Sequence, residues 1–217
     1  MRQPLSVGGA PARPSRPAEA AVTALVLIAL CGGSMLVLHW IAPDLDGYKG
    51  YFLDVPGIRE PPVHTVSDAP LADDDEVIGV AVNGRFRAYA INALFMPDRH
   101  VVNDLVSGQP VSVSYCPRSG CVSVFTDALG KNTLPIAMGG WMERYEDRTL
   151  LLLVGSTRYR QDTGASVESS AAPFPFPRME FQRTTWKQWR DRHPDTEVYT
   201  GMSPQQVSAA PRANSDS

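Results

Sequence analysis

The stretch from Val77 to Ile91 leaves its backbone little choice. Val77 to Val82 is followed by Asn83-Gly84 and then by Arg85 to Ile91. Strand-forming runs on either side of Asn-Gly, a pair that tolerates the positive φ of both central residues of a type I′ turn, make a β-hairpin. The pattern recurs downstream. Val111 to Tyr115 and Val122 to Thr126 alternate apolar with small polar residues at the two-residue period of half-buried strands, and Pro117-Arg118-Ser119-Gly120 between them is turn chemistry. Ser107-Gly108 predicts a turn leading into that second hairpin, and Asn92 to Met96 a short helical turn ended by Pro97. Leu134 to Met138 and Thr149 to Val154 read as short or buried strands, Gly139-Gly140 as a bend or a close backbone approach, and Arg158 to Gly164 as a loop or strand end. Pro173-Phe174-Pro175-Phe176-Pro177 must run extended, because each proline restricts itself and its predecessor. One longer helix is predicted: Thr185-Trp186-Lys187-Gln188 is a capping box, the helix runs to about Arg192, and Pro194 stops it. Trp186 and Trp189 lie on one side of it and are expected to pack in the core. Val198 and Tyr199 add a last strand. The expected fold class is α+β, mainly antiparallel β with few short helices.

Ahead of this domain the composition changes. Residues 21–42 read AVTALVLIALCGGSMLVLHWIA, without Asp, Glu, Lys or Arg, long enough at 1.5 Å per residue to cross a bilayer core of about 30 Å. A transmembrane helix is expected there, with Arg2, Arg13 and Arg16 before it and Asp44 and Asp46 after it placing the N-terminus in the cytoplasm and the rest outside. A cleaved signal peptide would carry a shorter apolar run and a small-residue cleavage site. Cys31 is read as a cysteine of the membrane helix; a lipoprotein acceptor is disfavoured because Leu30 stands where a small residue belongs. The expected organisation is a disordered tail over 1–20, the span over 21–42, an extracytoplasmic linker over 43–75, a domain over 76–201 and a polar tail over 202–217. The linker carries five prolines and ends in Asp73-Asp74-Asp75-Glu76, yet Tyr48, Tyr51, Phe52 and Leu53 are more apolar than a free linker needs. They are expected either to pack on the domain or to lie at the membrane surface. The acidic run lacks the spacing of a calcium loop. A net charge of −3 and a pI near 5.8 supply no basic field for nucleic acid, which is set aside as a partner.

Of three cysteines, only Cys116 and Cys121 lie outside the apolar run, at the two ends of the second turn. A hairpin closed by Pro117 to Gly120 pairs Tyr115 with Val122, Ser114 with Ser123 and Val113 with Val124. The cysteines then share a face with serines, while Val111, Val113, Tyr115, Val122 and Val124 form the face that packs on a core. Opposed residues of an antiparallel pair have Cα atoms about 4.5 to 5.5 Å apart, within what a disulfide tolerates.

Tyr115-Cys116-Pro117-x-x-Gly120, preceded by His100-x-x-Asn103-Asp104 and followed by Arg158 to Gly164 and by Thr185-Trp186-x-x-Trp189-x-x-x-His193-Pro194-Asp195-Thr196, resembles the family called domain of unknown function 3179, from about Val77 to Gly201. The resemblance names no reaction. It implies a Tyr-Cys-Pro-x-Cys-Gly pattern, with selenocysteine at the second position in some members, and so redox or metal chemistry at that pair. This chain has Ser119 at that second position and a cysteine two residues later; it also has Tyr159 where the family more often has Trp.

Three readings of the site stand side by side. In the first, Cys116 is an attacking thiolate favoured by Arg118 or His100 nearby, and Cys121 resolves the mixed disulfide. In the second, Cys116, Cys121 and His100, with His64 or His193, bind copper(I) or zinc. In the third, Cys116 and Cys121 form a structural disulfide in an oxidising compartment, and the domain binds a partner or ligand without chemistry. His100, beside Asp98, Asn103 and Asp104, is a general base or a loop histidine bonded to its own turn. His193 before Pro194 is expected to cap the helix. The order His100, Asn103, Cys116 is not that of a papain-like protease. The many arginines bind anions only if several converge.

Overall fold

Asn83 at φ 50° and Gly84 at φ 76° turn β4 (Glu76–Val82) back into β5 (Arg85–Ala90), which pair antiparallel as the Asn-Gly signal predicts. The structure, a computed structural model, describes residues 49–144, 147–168 and 172–202. The tail over 1–20, the apolar run over 21–42 and residues 203–217 lie outside the described residues. Among the described residues no helix is long and apolar enough to cross a membrane.

The described residues form three sheets, mostly antiparallel, one α-helix and two short 3-10 turns. In the first sheet β4 and β5 are flanked by β12 (Gln182–Thr185) on one side and, on the other, by β13 (Glu197–Tyr199) and then β3 (His64–Thr65). A second turn with two positive φ values, Ser107 at 53° and Gly108 at 75°, joins β6 (Val101–Val106) to β7 (Gln109–Tyr115). With β2 (Ile58–Arg59) outside β6 and β8 (Val122–Thr126) outside β7, these form the central sheet. The third sheet is β1 (Lys49–Val55), β9 (Ile136–Arg144), β10 (Asp147–Val154) and β11 (Thr157–Arg160), in that order. Two pairings are parallel, β13 with β5 and β2 with β6.

The buried side chains order these layers. Ile78, Val80 and Tyr89 of the first sheet pack with Val102, Val111, Val113 and Val124 of the central one. Cys116, Val101 and Phe125, from the other side of the central sheet and its turn, pack with Ile136, Met138, Trp141, Leu150 and Leu152 of the third sheet. The central sheet is therefore covered on both faces. Each apolar side chain of that size, fully buried, contributes about 1.5–3 kcal/mol.

The helix α1 (Trp186–Arg192) covers the outer face of the first sheet, with Trp186 and Trp189 each 1% exposed against Val77, Ala88 and Val198. Its cap is the predicted one: Gln188 N–H donates to Thr185 Oγ1 at 3.3 Å, and His193 N–H closes the C-terminal end on Trp189 O at 2.9 Å. The acidic run serves this helix, since Asp75 O and Asp73 O accept from Trp186 N and Lys187 N and Asp73 pairs with Arg190.

Residues 49–75 differ from the linker their prolines suggest. They carry β1, β2 and β3, one strand for each sheet, and the packed unit begins at Lys49. β2 and β3, two residues each, are stabilised by their neighbours and are too short to carry a periodicity of their own. β1 depends on Gly140, which stands at φ +111° where a Cβ would lie 1.8 Å from Tyr51 O. That is the close approach expected of Gly139-Gly140.

Candidate functional site

The cysteine turn has the register its spacing predicts: Tyr115 faces Val122, Ser114 faces Ser123 and Val113 faces Val124. Just beyond the last ladder pair, Cys116 N–H donates to Cys121 O at 2.9 Å, while Cys121 N–H turns to Ser119 Oγ at 3.4 Å. Within the turn Gly120 N–H donates to Cys116 O at 2.8 Å, with Gly120 at φ 71°, the left-handed conformation that glycine adopts without strain. Arg183, paired with Glu76, donates from Nη1 to Gly120 O at 3.1 Å; its hydrogen bond and charge hold the Glu76 carboxyl below its usual range. Both cysteines belong to the apolar cluster beneath the third sheet. Their sulfurs are not bonded to each other; Cys116 is fully buried and Cys121 half-buried. A thiol that attacks an outside disulfide must be reachable. Cys121 meets that requirement and Cys116 does not.

The serine face on which the cysteines sit is also interior. Ser112, Ser114 and Ser123 are 0–1% exposed, and a residue from the turn after β11 satisfies most of them. Gln161 donates from Nε2 to Ser114 O at 3.0 Å, Ser114 Oγ at 3.1 Å and Cys121 O at 3.2 Å. Its own carbonyl accepts from Ser123 Oγ at 3.0 Å and from Arg178 Nη2 at 2.6 Å, while Arg178 Nη1 reaches Ser123 Oγ at 2.8 Å. Gln161 thereby ties the cysteine turn to the third sheet. It lies inside the Arg158 to Gly164 segment, but its partners are some 40 residues away in sequence, so no local pattern announces it. Arg178, after the proline run, was equally silent.

The remaining predicted site residues fall into separate neighbourhoods. His100 is 1% exposed; its Nδ1 meets Leu94 O at 2.7 Å and its ring stands edge-on to Trp141, with centroids 5.7 Å apart. Burial lowers its pKa from the usual histidine value, against the Leu94 hydrogen bond. Its partner belongs to the helical turn Ile91–Leu94, just before its own. Arg118 reaches from the cysteine turn to lie 4.9 Å over the ring of Trp141, so that indole, which sequence did not single out, stands between Arg118 and His100. Asn103 donates to Ile136 O at 2.8 Å and joins the central and third sheets.

Asp104 points to the opposite face. It accepts from Arg87 Nη1 at 2.7 Å, Tyr89 OH at 2.9 Å and Leu105 N at 2.7 Å, and Arg87 reaches on to Glu197 at 2.8 Å. Burial, with the Asp104 charge beside it, raises the Tyr89 phenol well above its usual pKa. His64 bonds Met202 O through Nε2 at 2.9 Å, and the ring of His193 stacks on Phe86 with centroids 3.9 Å apart. Trp186 and Trp189 are core, and Trp189 Nε1 donates to Thr196 Oγ1 at 2.9 Å. Tyr159 packs edge-on against Phe174 of the proline run. Arg87, Arg158, Arg160 and Arg183 each pair with a carboxylate of this chain. Among the described residues no three His, Cys, Asp or Glu come together as a set that could hold a metal ion.

The arrangement thus sets two free thiols at the two ends of one turn, one buried and one half-buried. No curated protein and no solved structure matches the chain. Residues 54–208 match a family, and they take in the cysteine turn, Gln161 and the helix with its two tryptophans; the chain belongs to the family described as "Protein of unknown function (DUF3179)".

Proposed function

We propose that this chain is a single-pass, membrane-anchored module, N-terminus in the cytoplasm and β domain outside, in which a Cys116–Cys121 disulfide closes the turn and the domain binds a partner without chemistry of its own. The observation that carries this is the pairing of the two cysteines across the turn, Cys116 N–H on Cys121 O at 2.9 Å, with both side chains in one apolar cluster. Opposed residues at the end of an antiparallel pair hold their Cα atoms about 4.5 to 5.5 Å apart, within the range of disulfide spacings. An oxidising compartment would close such a pair. The short loop limits the entropic gain to roughly 2 kcal/mol. His100, Asn103 and Asp104 support the same reading, each being engaged by a structural neighbour rather than directed at the sulfurs.

The half-exposure of Cys121 favours one alternative, thiol–disulfide exchange in which the Cys121 thiolate attacks a partner's disulfide and releases the partner's first thiolate. Cys116 then attacks Cys121, freeing the second partner thiolate as the internal bridge forms. Peptide mapping of the chain taken from membranes and alkylated without reductant, with metal analysis alongside, tests whether the bridge forms; its reduction potential separates a structural bridge from an exchanging one. The module predicts a linked Cys116–Cys121 peptide and no stoichiometric metal. Two alkylated cysteines would overturn the bridge, and bound copper or zinc would support a metal site.

A further inference from the structure

β1 is an edge strand, paired with β9 on one side only among the described strands. Three consecutive large apolar residues on it stand out into solvent: Tyr51 is 57% exposed, Phe52 55% and Leu53 44%. Successive strand residues point to opposite faces, so the band wraps the edge of the third sheet instead of covering one side of it. That geometry suits an approach edge-on. Phe52 carries the Arg158 guanidinium 5.0 Å over its ring, and Arg158 is paired with Asp54.

Aromatic rings beside an arginine are the composition of the bilayer's headgroup layer, where an amphipathic ring or a guanidinium keeps its polar end wet and its apolar body in lipid. The sequence also limits how far this band can be from a bilayer. Residues 43–48 alone separate the apolar run from Lys49, and six residues reach roughly 20 Å when fully extended. A stable interface with a free protein needs some 20 residues on each side, far more than this band offers. A short tether removes that requirement, because the second contact becomes intramolecular, at an effective concentration of about millimolar.

We propose that Tyr51, Phe52 and Leu53 seat the edge of the third sheet in the headgroup layer of the membrane that anchors the chain. This rests on the membrane-anchored reading above. It fixes which end of the layered domain faces the bilayer: the third sheet lies against it, and helix α1, beyond the first sheet, lies away from it.

The test uses the full chain in phosphatidylcholine–phosphatidylglycerol vesicles, with photo-crosslinking benzoylphenylalanine placed at position 51, at position 53, or at position 187. Lys187 is the comparison because its side chain is 55% exposed on α1. Lipid adducts at 51 and 53 at least five-fold above those at 187 are expected. Equal yields, or crosslinks from 51 to a second copy of the chain, overturn the proposal, the latter in favour of edge-to-edge pairing. An alkaline carbonate wash of the same vesicles tests the anchor separately. A chain that stays in the pellet without adducts at 51 and 53 sinks this inference alone, whereas a chain washed off sinks the anchored reading together with it.

Discussion

On one face of the central sheet Val102, Val106, Val111, Val113 and Val124 meet hydrocarbon from the first sheet. On the other, Asn103, Ser112, Ser114 and Ser123 lie just as deep beneath the third sheet, and all but Ser112 are joined by side-chain hydrogen bonds to Ile136, Gln161 or Arg178. A buried polar group without a partner costs more than a hydrogen bond returns. The second face is therefore possible only because Gln161 and Arg178 arrive from distant segments to meet it. The comparison teaches that alternation along a strand distinguishes two faces without saying that one of them is wet.

The largest effect is expected where the apolar layer holds its charges. Asp104→Asn leaves Arg87, only 8% exposed, with the half-exposed Glu197 as its remaining partner. Removing one member of a buried ion pair costs about 3–5 kcal/mol, and urea unfolding should show a loss near the lower figure. An unchanged midpoint would mean that the charges at this layer are well hydrated. On the polar face Gln161→Leu removes the donor to Ser114 and Cys121. A loss of about 1–3 kcal/mol is expected, with faster amide exchange at the cysteine turn than anywhere on β4 and β5. If exchange rises evenly over the domain, Gln161 is not the link between turn and sheet.

How much of this was legible follows from where the partners lie. The Asn83-Gly84 turn, the register across Pro117 to Gly120, the close approach at Gly140 and the Thr185 cap all involve residues that are near in sequence or sterically unmistakable. The stacking of sheets, the three strands within 49–75 and the parallel pairs β13 with β5 and β2 with β6 depend on long-range neighbours. Alternation marks the serines as one face, but not that face as buried. Serine alternating with valine looks the same whether water or Gln161 answers it.

Ser112 sharpens the comparison with an effect of opposite sign. Its Oγ is buried and has no hydrogen-bond partner among the described residues. Ser112→Ala should raise stability by up to about 1 kcal/mol, since an unanswered hydroxyl leaves the polar layer. A clear loss in thermal unfolding would point instead to a partner such as bound water.

The smallest effect concerns His100, whose pKa is lowered chiefly by burial. Because the folded value lies below the unfolded one, the unfolded chain binds more protons between them. The contribution of His100 is thus complete above the ordinary histidine pKa and is lost as pH falls through that value toward the folded one. The urea midpoint should fall between pH 8 and pH 5, and less steeply in His100→Asn than in the parent chain. Parallel curves would show that His100 takes no part.

The claim that Cys116 and Cys121 form a structural bridge and not a catalytic pair is tested most directly by the reduction potential of the folded, full-length chain. Because Cys116 is fully buried and Gln161 holds the turn, the proposed bridge is predicted to open only below about −300 mV, as structural disulfides do. A potential between about −120 and −270 mV, the range of thiol–disulfide oxidoreductases, would contradict the account.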